Sequence, residues 1–195
     1  MKIKTIAWLG VSTVICVTVI IGIMTRFSYI DDLSQTPYIS LENVKYEPLP
    51  DINNVFYDSH ITDYKSLVDS ADVIAKVSVR NKSREFNSEM TITNVDVKEV
   101  YKGEIASEAY IVEPVFYCDM NNDAYAIGNY RWMLDDMEYV VFLKCIKSAG
   151  FVNKETMYVP SSTDYSKYCV SKDYYDNDNK QYLELRKMVI KNIDI

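Results

Sequence analysis

The chain has 195 residues, a length that suits one domain or two small ones. Its 28 acidic residues outnumber its 21 basic residues and give a net charge of -7. This balance argues against nucleic acid as the main ligand, because such binding depends on neutralising phosphates. One histidine and four cysteines leave little material for a zinc site or a serine–histidine–aspartate triad.

The first 26 residues have the pattern of a membrane anchor. Residues 5–25 carry no charge and are bracketed by Lys4 and Arg26. As a helix rising about 1.5 Å per residue, they span roughly 31 Å, close to the hydrocarbon thickness of a bilayer. The alternative is a cleaved signal peptide, whose apolar region of about 7–15 residues ends in small residues. Because this run is longer and ends in Ile-Met-Thr, we predict a retained transmembrane helix in residues 1–26.

The flanking charges predict how this helix is oriented. Lys2 and Lys4 precede it, whereas Asp31 and Asp32 follow it. The N-terminus is therefore expected in the cytoplasm, with the rest of the chain outside the cell membrane. The predicted anchor holds three basic and no acidic side chains, so the remaining chain holds 18 basic and 28 acidic ones, a net charge of -10. Anionic lipids and cell-wall polymers repel such a surface.

Residues 27–55 show no sustained hydrophobic period. Pro37, Pro48 and Pro50 interrupt the apolar residues and favour an extended backbone. We predict an extended stalk in this segment. The alternative is that residues 44–46 add an edge strand to the following domain, because proline is tolerated on edge strands.

A domain is predicted to fill residues 56–195, with a short helix near each end. The first helix has apolar residues at helical spacing, at positions 64, 67, 68 and 71, with Thr62 as its N-cap. The last helix covers residues 177–191, and Asp176 and Asp178 complement the dipole at its start. Its apolar stripe consists of Tyr182, Leu185 and Val189.

Between these helices the apolar period becomes two, which is typical of β-strands. Strands are predicted in residues 73–80, 90–101, 109–116, 139–143 and 157–159. Val100 breaks the alternation and predicts a bulge near Lys98 and Glu99, and Pro114 stops or bends the third strand. The nearly all-apolar fourth strand is the candidate for the centre of the core. Without a repeated βαβ alternation, we predict an α+β fold that is mainly β, an antiparallel small barrel with peripheral helices.

Three strand segments resemble a group of secreted or membrane-anchored bacterial domains. They are ADVIAKV at 71–77, TNVDVKEVYKG at 93–103 and EYVVFL at 138–143. Those domains are similar to the OB-like barrel shared with netrin modules and tissue inhibitors of metalloproteinases, so the resemblance implies an OB-like fold. It implies no inhibition, which uses an N-terminal cysteine, because a helix and a stalk are expected before this domain. The first strand has no glycine to mark where the barrel bends to close.

Three cysteines, Cys118, Cys145 and Cys169, lie in the predicted outer portion, where disulfides can form. Cys118 ends one predicted strand and Cys145 follows another, so they can be bridged if the strands are neighbours. The alternative is that they are small buried thiols. A catalytic thiol is not expected, because the single histidine, His60, shows no pairing pattern with a cysteine.

Seventeen tyrosines lie beyond residue 26. A possible interaction surface comprises Tyr165, Tyr168, Tyr174 and Tyr175, because tyrosine offers a broad contact area with a polar tip. The alternative is that these residues fill half-buried positions, where aromatic side chains fit well.

No residue pattern nominates a catalytic residue, a cofactor site or a metal site. The oxygen-rich runs at 119–123 and 173–178 lack the spacing of an EF-hand. We therefore expect a single-pass, extracytoplasmic binding module, not an enzyme, whose partner is an envelope protein or another envelope component. One alternative is a hydrolase or thiol enzyme with scattered site residues. Another is an accessory subunit that acts through small residues of its membrane helix, such as Gly10, Ser12 and Gly22.

Overall fold

The computed structural model describes three helices and ten strands. The described residues are 2–27, 30–32, 46–49, 57, 60–85, 90–118, 123–147, 156–171 and 174–193. The helices are α1 (Lys2–Phe27), α2 (Tyr64–Ser70) and α3 (Lys180–Asn192). The strands are β1 (Ile30–Asp32), β2 (Tyr46–Leu49), β3 (Val73–Glu85), β4 (Thr91–Lys102), β5 (Glu108–Glu113), β6 (Val115–Cys118), β7 (Asp123–Ile127), β8 (Glu138–Lys147), β9 (Thr156–Pro160) and β10 (Lys167–Cys169).

Five strands close into a barrel, in the order β3-β4-β5-β9-β8, with β8 returning to β3. The contact between β5 and β9 is parallel, and the other four are antiparallel. Since β8 lies beside β3, the strands β3, β4, β5 and β8 form a Greek key. The prediction of a mainly β small barrel with peripheral helices is confirmed, but the prediction that it is antiparallel was wrong for one contact, because β5 and β9 run parallel.

A second, three-stranded sheet was not predicted. It has the order β2-β7-β6, and Pro114 separates β6 from the barrel strand β5, as predicted. The segment predicted as a stalk contributes β1, which pairs with β3, and β2, which pairs with β7. Strand β2 shares Tyr46 with the edge strand that the alternative placed at residues 44–46. Residues 28–29, 33–45 and 50–56 of this region lie outside the described residues.

Bulges between β3 and β4 bend the barrel. Lys76 pairs with Glu99 and Val77 pairs with Val97, so Lys98 is the extra residue. This confirms the bulge predicted there. Two further register shifts fall along the same strand pair. Because a bulge bends its strand and increases the twist, the barrel closes although β3 contains no glycine.

Strand β8 lies at the centre of the core, as predicted. Its residues 139–143 are all at most 2% exposed. Alternate side chains point to opposite faces of a strand. Tyr139, Val141 and Leu143 pack inside the barrel, whereas Val140 and Phe142 pack in a second cluster with α2 and α3.

Helices α2 and α3 cover the outer face of β8. The predicted stripe of α3 is confirmed, because Tyr182, Leu185 and Val189 are at most 1% exposed. The helix begins at Lys180 rather than at residue 177, and its N-cap Asn179 accepts a hydrogen bond from the backbone of Gln181. The predicted stripe was therefore right and the predicted start was early.

The N-cap of α2 is Asp63, not Thr62 as predicted. The Asp63 carboxylate accepts the backbone N–H of Ser66 at 2.8 Å. In return, the Ser66 hydroxyl accepts the backbone N–H of Asp63 at 3.1 Å. This reciprocal capping box satisfies two backbone N–H donors. Thr62, one residue earlier, does not form this pair of hydrogen bonds. These backbone and hydroxyl hydrogen bonds lower the pKa of Asp63.

Helix α1 differs from the other two helices in its surroundings. All sixteen described side chains, at positions 10–25, are exposed, and Val14 is 67% exposed. Within the part of the chain that the structure describes, no helix combines the length and the apolar character needed to cross a membrane.

Candidate functional site

A cleft of about 350 Å³ lies between the turn after β7 and the segment that leads into α3. One wall consists of Ala126, Gly128, Asn129, Tyr130 and Arg131. The other wall consists of Tyr175, Asp176, Asn177 and Asp178. Small-molecule sites usually measure about 300–1,000 Å³, so this cleft has the size of a ligand site.

Gly128 sets the shape of the first wall. Its φ is +62°, and a Cβ added there would lie 2.6 Å from Oγ1 of Thr163. Glycine adopts this left-handed conformation without a steric penalty and leaves room for the neighbouring segment. Next to it, Nδ2 of Asn129 donates to Oδ1 of Asp164 at 2.6 Å. The wall is thus fixed against residues 163–164.

A buried ion pair joins the two walls. Nζ of Lys167 donates to Oδ1 of Asp176 and to the carbonyl oxygen of Arg131, both at 2.8 Å. The side chains of Lys167 and Asp176 are only 4% and 6% exposed. The hydroxyl of Tyr182 adds contacts to the carbonyl of Lys167 at 3.1 Å and to Oδ2 of Asp176 at 3.3 Å. The ion pair of Lys167 and Asp176 is therefore the point at which both walls meet strand β10 and helix α3.

Two tyrosine rings surround the buried ammonium of Lys167. Its Nζ lies 4.9 Å from the ring centroid of Tyr139 and 5.1 Å from that of Tyr130. Such cation–π contacts stabilise a positive charge that has little water around it. Burial, followed by the negative charge of Asp176, raises the pKa of Tyr139. These phenols therefore remain neutral in the physiological pH range.

A buried carboxyl group connects the cleft with the barrel interior. Glu113 is fully buried and accepts hydrogen bonds from the Thr93 hydroxyl and from the backbone N–H of Met133 at 2.9 Å. The hydroxyl of Tyr130 also bonds to Glu113, while Tyr130 itself lines the cleft. Burial raises the pKa of Glu113 although the charges of Lys167 and Lys82 act in the opposite direction.

Tyr175 is held in place from one side. The guanidinium of Arg186 lies 4.7 Å from the Tyr175 ring centroid, and its Nη2 donates to the carbonyls of Cys169, at 3.0 Å, and Ser171. Arg186 is 7% exposed, whereas Tyr175 is 51% exposed. A buried, anchored cation thus supports an accessible aromatic ring in the wall of the cleft.

The four tyrosines predicted as an interaction surface have different environments. Tyr175 lines the cleft, while Tyr165 and Tyr174 are half-buried. Tyr168 is 1% exposed and stacks on Tyr182 with ring centroids 5.0 Å apart. The prediction was wrong for Tyr168, because pairing of β10 with β8 places its ring in the core under α3.

The cysteines predicted to pair are not register neighbours. Cys145 on β8 is opposite Tyr158, and Cys118 on β6 is opposite Asp123 in the other sheet. Cys145 and Cys169 carry free thiols, whereas the side chain of Cys118 lies outside the described ones. Because the thiol of Cys145 is free, the predicted bridge between Cys118 and Cys145 is not formed in this structure. Burial raises the pKa of Cys169, which disfavours the nucleophilic thiolate.

Sequence reasoning missed most of the site. Lys167 and Glu113 lie 54 positions apart, and no spacing rule joins them. Asp176 was interpreted as a residue at the start of a helix, but it is the buried partner of Lys167. The available signal was a charged residue, Glu113, next to the apolar run of β5. Such a position requires a buried polar partner, but the sequence does not identify it.

Comparisons with known proteins add no assignment. No family model, no curated protein and no solved structure matches this chain. Within the described residues, no group of three or more histidine, cysteine, aspartate or glutamate side chains is placed to hold a metal ion. The cleft and its supporting network are therefore the basis for the functional proposal.

Proposed function

We propose that this chain is a single-pass membrane protein that displays an OB-like binding module on the outer face of a bacterial cell membrane. The module binds an envelope component, either a protein or another constituent of the envelope. The observation that carries the proposal is the contrast between an apolar helix whose described side chains are all exposed and a barrel with its own buried core.

The uncharged run within α1 supports the anchor, although no helix of the described residues meets both requirements for a membrane span. The helix has 26 residues, and positions 5–25 within it carry no charge. Val14, Ile15 and Met24 are each more than half exposed. In water, such a surface favours association or aggregation, whereas lipid would cover all sides of the helix. The two lysines before position 5 favour a cytoplasmic N-terminus.

The arrangement of the resembling segments supports the OB-like assignment. An OB-fold is a five-stranded Greek-key barrel, and this barrel has five strands with a Greek key among them. The segments at 71–77, 93–103 and 138–143 coincide with β3, β4 and β8, which are adjacent around the barrel. A shared fold does not by itself transfer an activity, so binding is argued from the cleft.

Thiol labelling of intact bacterial cells tests the proposed topology. In the full chain with its native cysteines replaced by serine, we would place one cysteine by Lys187→Cys on the exposed side of α3. The matched control is Lys4→Cys, on the predicted cytoplasmic side. An impermeant maleimide should label position 187 in intact cells and position 4 only after permeabilisation.

Two results would contradict the topology. One is labelling of position 187 only after permeabilisation, since it would place the barrel in the cytoplasm. The other is a mature protein whose mass shows cleavage after residue 24, since the helix would then be a signal peptide. Recovery of the intact chain in the carbonate-washed membrane fraction is the expected result for a retained anchor.

Two carboxyl groups in the cleft favour a second candidate function, a hydrolase. Asp176 and Asp178 both line the cleft, but Asp176 is engaged by Lys167. Asp178 is therefore the residue to test. If the chain releases new reducing ends from an oligosaccharide and Asp178→Asn abolishes this release, the protein is an enzyme. Binding without release supports the binding module.

A further inference from the structure

We propose that the cleft between residues 126–131 and 175–178 binds a neutral carbohydrate chain. This inference deepens the proposed function and rests on it, because it names the class of envelope component that is bound. The cleft is concave and encloses about 350 Å³. A ring-sized ligand suits this shape better than a protein partner, which usually covers a broad patch of about 800 Å².

The charge of the lining points to a neutral ligand. The charges of Asp176 and Lys167 compensate each other in the buried pair. Beyond this pair, the lining carries one cationic side chain, Arg131, and one anionic side chain, Asp178. A site for a polyanion needs an excess of cations, and a site for an organic cation needs an excess of carboxylates or aromatic faces. The cleft has no excess of cations, and the positive charge of Arg131 disfavours an organic cation beside the Tyr175 ring.

The amide groups of the lining suit hydroxyl groups. Nδ2 of Asn129 donates one of its two N–H groups to Asp164, so this amide keeps a second donor and its Oδ1 acceptor. Oδ1 of Asn177 accepts the backbone N–H of Asn179 at 2.8 Å, so this amide keeps its Nδ2 donors and a second lone pair. A hydroxyl group both donates and accepts hydrogen bonds. A cleft whose lining amides offer both donors and acceptors therefore matches a ligand rich in hydroxyl groups.

The ring of Tyr175 supplies a stacking surface. The guanidinium of Arg186 lies 4.7 Å from its ring centroid and is buried, whereas Tyr175 remains 51% exposed. The ring is thus fixed from one side and accessible from the other. Sugar rings have flat faces of C–H groups, which pack on aromatic rings. A ring that is already fixed loses little conformational entropy when the sugar binds.

Calorimetry on the full chain in nanodiscs tests this inference. The probes are chitotetraose and maltotetraose, and sugar-headed detergents are left out because they would compete. At least one probe should bind saturably at one site. Because the ligand is neutral, its affinity should stay within about twofold between low and high salt. Trimethylammonium and polyglutamate, as charged comparison ligands, should not bind at this site.

Matched variants assign the binding to the cleft. Tyr175→Ala should weaken the affinity at least about tenfold, whereas Tyr175→Phe, which keeps the ring, should stay within about twofold. Asp178→Asn is the second cleft variant and should weaken binding by about threefold or more. Met188→Ala on the exposed side of α3 is the distant control and should have no effect. Unfolding midpoints verify that each variant folds.

The following results would overturn the inference. No saturable binding of either sugar up to about 10 mM would exclude the ligand class. Binding that Tyr175→Ala and Asp178→Asn leave unchanged would place the sugar elsewhere. Tyr175-dependent binding of a charged comparison ligand instead would assign the cleft to that ligand. The thiol-labelling test of topology is independent of these measurements. If the barrel lies outside the cell membrane but binds no sugar, only this inference is refuted. If the barrel binds sugar but lies in the cytoplasm, only the proposed location is refuted.

Discussion

Helices α1 and α3 show two different uses of apolar residues. Along α3, apolar residues recur at helical spacing, and Tyr182, Leu185 and Val189 are buried against the barrel. Along α1, apolar residues occupy all sides, and the described side chains are exposed. A one-sided stripe indicates a helix that packs on its own protein. In the described part of α1, positions 10–25, no such one-sided stripe is buried on the barrel.

The largest expected effect concerns the ion pair that fixes the segment before α3. Asp176→Ala leaves the Lys167 ammonium buried without its partner, so we expect a loss of about 3–5 kcal/mol in the free energy of unfolding. The measurement is urea unfolding followed by the fluorescence of buried Trp132, with Trp8 replaced by phenylalanine. The control is Asp69→Ala, which removes an exposed pair with Lys65 and should cost less than about 1 kcal/mol.

A double variant separates charge from packing at the same place. Replacing Lys167 with methionine and Asp176 with leucine removes both charges and should recover most of the loss, since no buried charge is left unpaired. An equal loss in Asp176→Ala and Asp69→Ala would contradict the interpretation of this pair as the fixed point between β10 and α3.

The second prediction compares one apolar residue from each helix. Leu185→Ala creates a cavity between α3 and β8, so we expect a loss of about 2–5 kcal/mol in the free energy of unfolding. Val14→Ala should change the unfolding of the barrel by less than about 0.5 kcal/mol, because Val14 is 67% exposed. A similar loss in both variants would show that α1 packs on the barrel.

The third prediction concerns how the free energy of unfolding of the barrel depends on pH. Helix α1 contains no carboxylate, so it does not contribute to this dependence through an acidic side chain. Burial raises the pKa of Glu113 above its ordinary value of 4.5. The folded state therefore holds this proton more tightly than the unfolded chain. The stabilisation that comes from this tighter proton binding is fully present below about pH 4.5. It is lost as the pH rises through the folded pKa of Glu113, and the free energy of unfolding falls by at most about 1.4 kcal/mol per pH unit.

Glu113→Gln should remove this slope, and unfolding at a series of pH values from 4 upward measures it. The pKa values of Asp63 and Glu108 are lowered, so their contributions have the opposite sign. They are present in both proteins and cancel in the difference between wild type and variant. A difference that does not depend on pH would mean that Glu113 is ionised equally in both states.

The smallest expected effect concerns the first turn of α3. Asn179→Ala removes the side-chain oxygen that accepts the Gln181 N–H at 2.8 Å, and we expect a loss of about 1 kcal/mol. The control, Lys187→Ala on the exposed side of the same helix, should stay within about 0.5 kcal/mol. If the two variants lose the same amount, the cap contributes nothing measurable.

The sequence alone determined the local features of this protein. The stripe of α3, the five barrel strands β3, β4, β5, β8 and β9, the bulge at Lys98 and the break at Pro114 were all predicted from neighbouring residues. These features depend on side-chain periodicity and on backbone restrictions within a few positions, which a single sequence displays directly.

Only the tertiary structure decided which residues meet across long separations. The second sheet, the contact of Lys167 with the Arg131 carbonyl and the burial of Glu113 and Tyr168 depend on strand pairings between distant segments. A buried charge is stable only with its partner, and the pairing of β10 with β8 places Lys167 where its partners lie. The cleft has the same origin: its two walls are 44 or more positions apart in the chain, and the fold places them face to face.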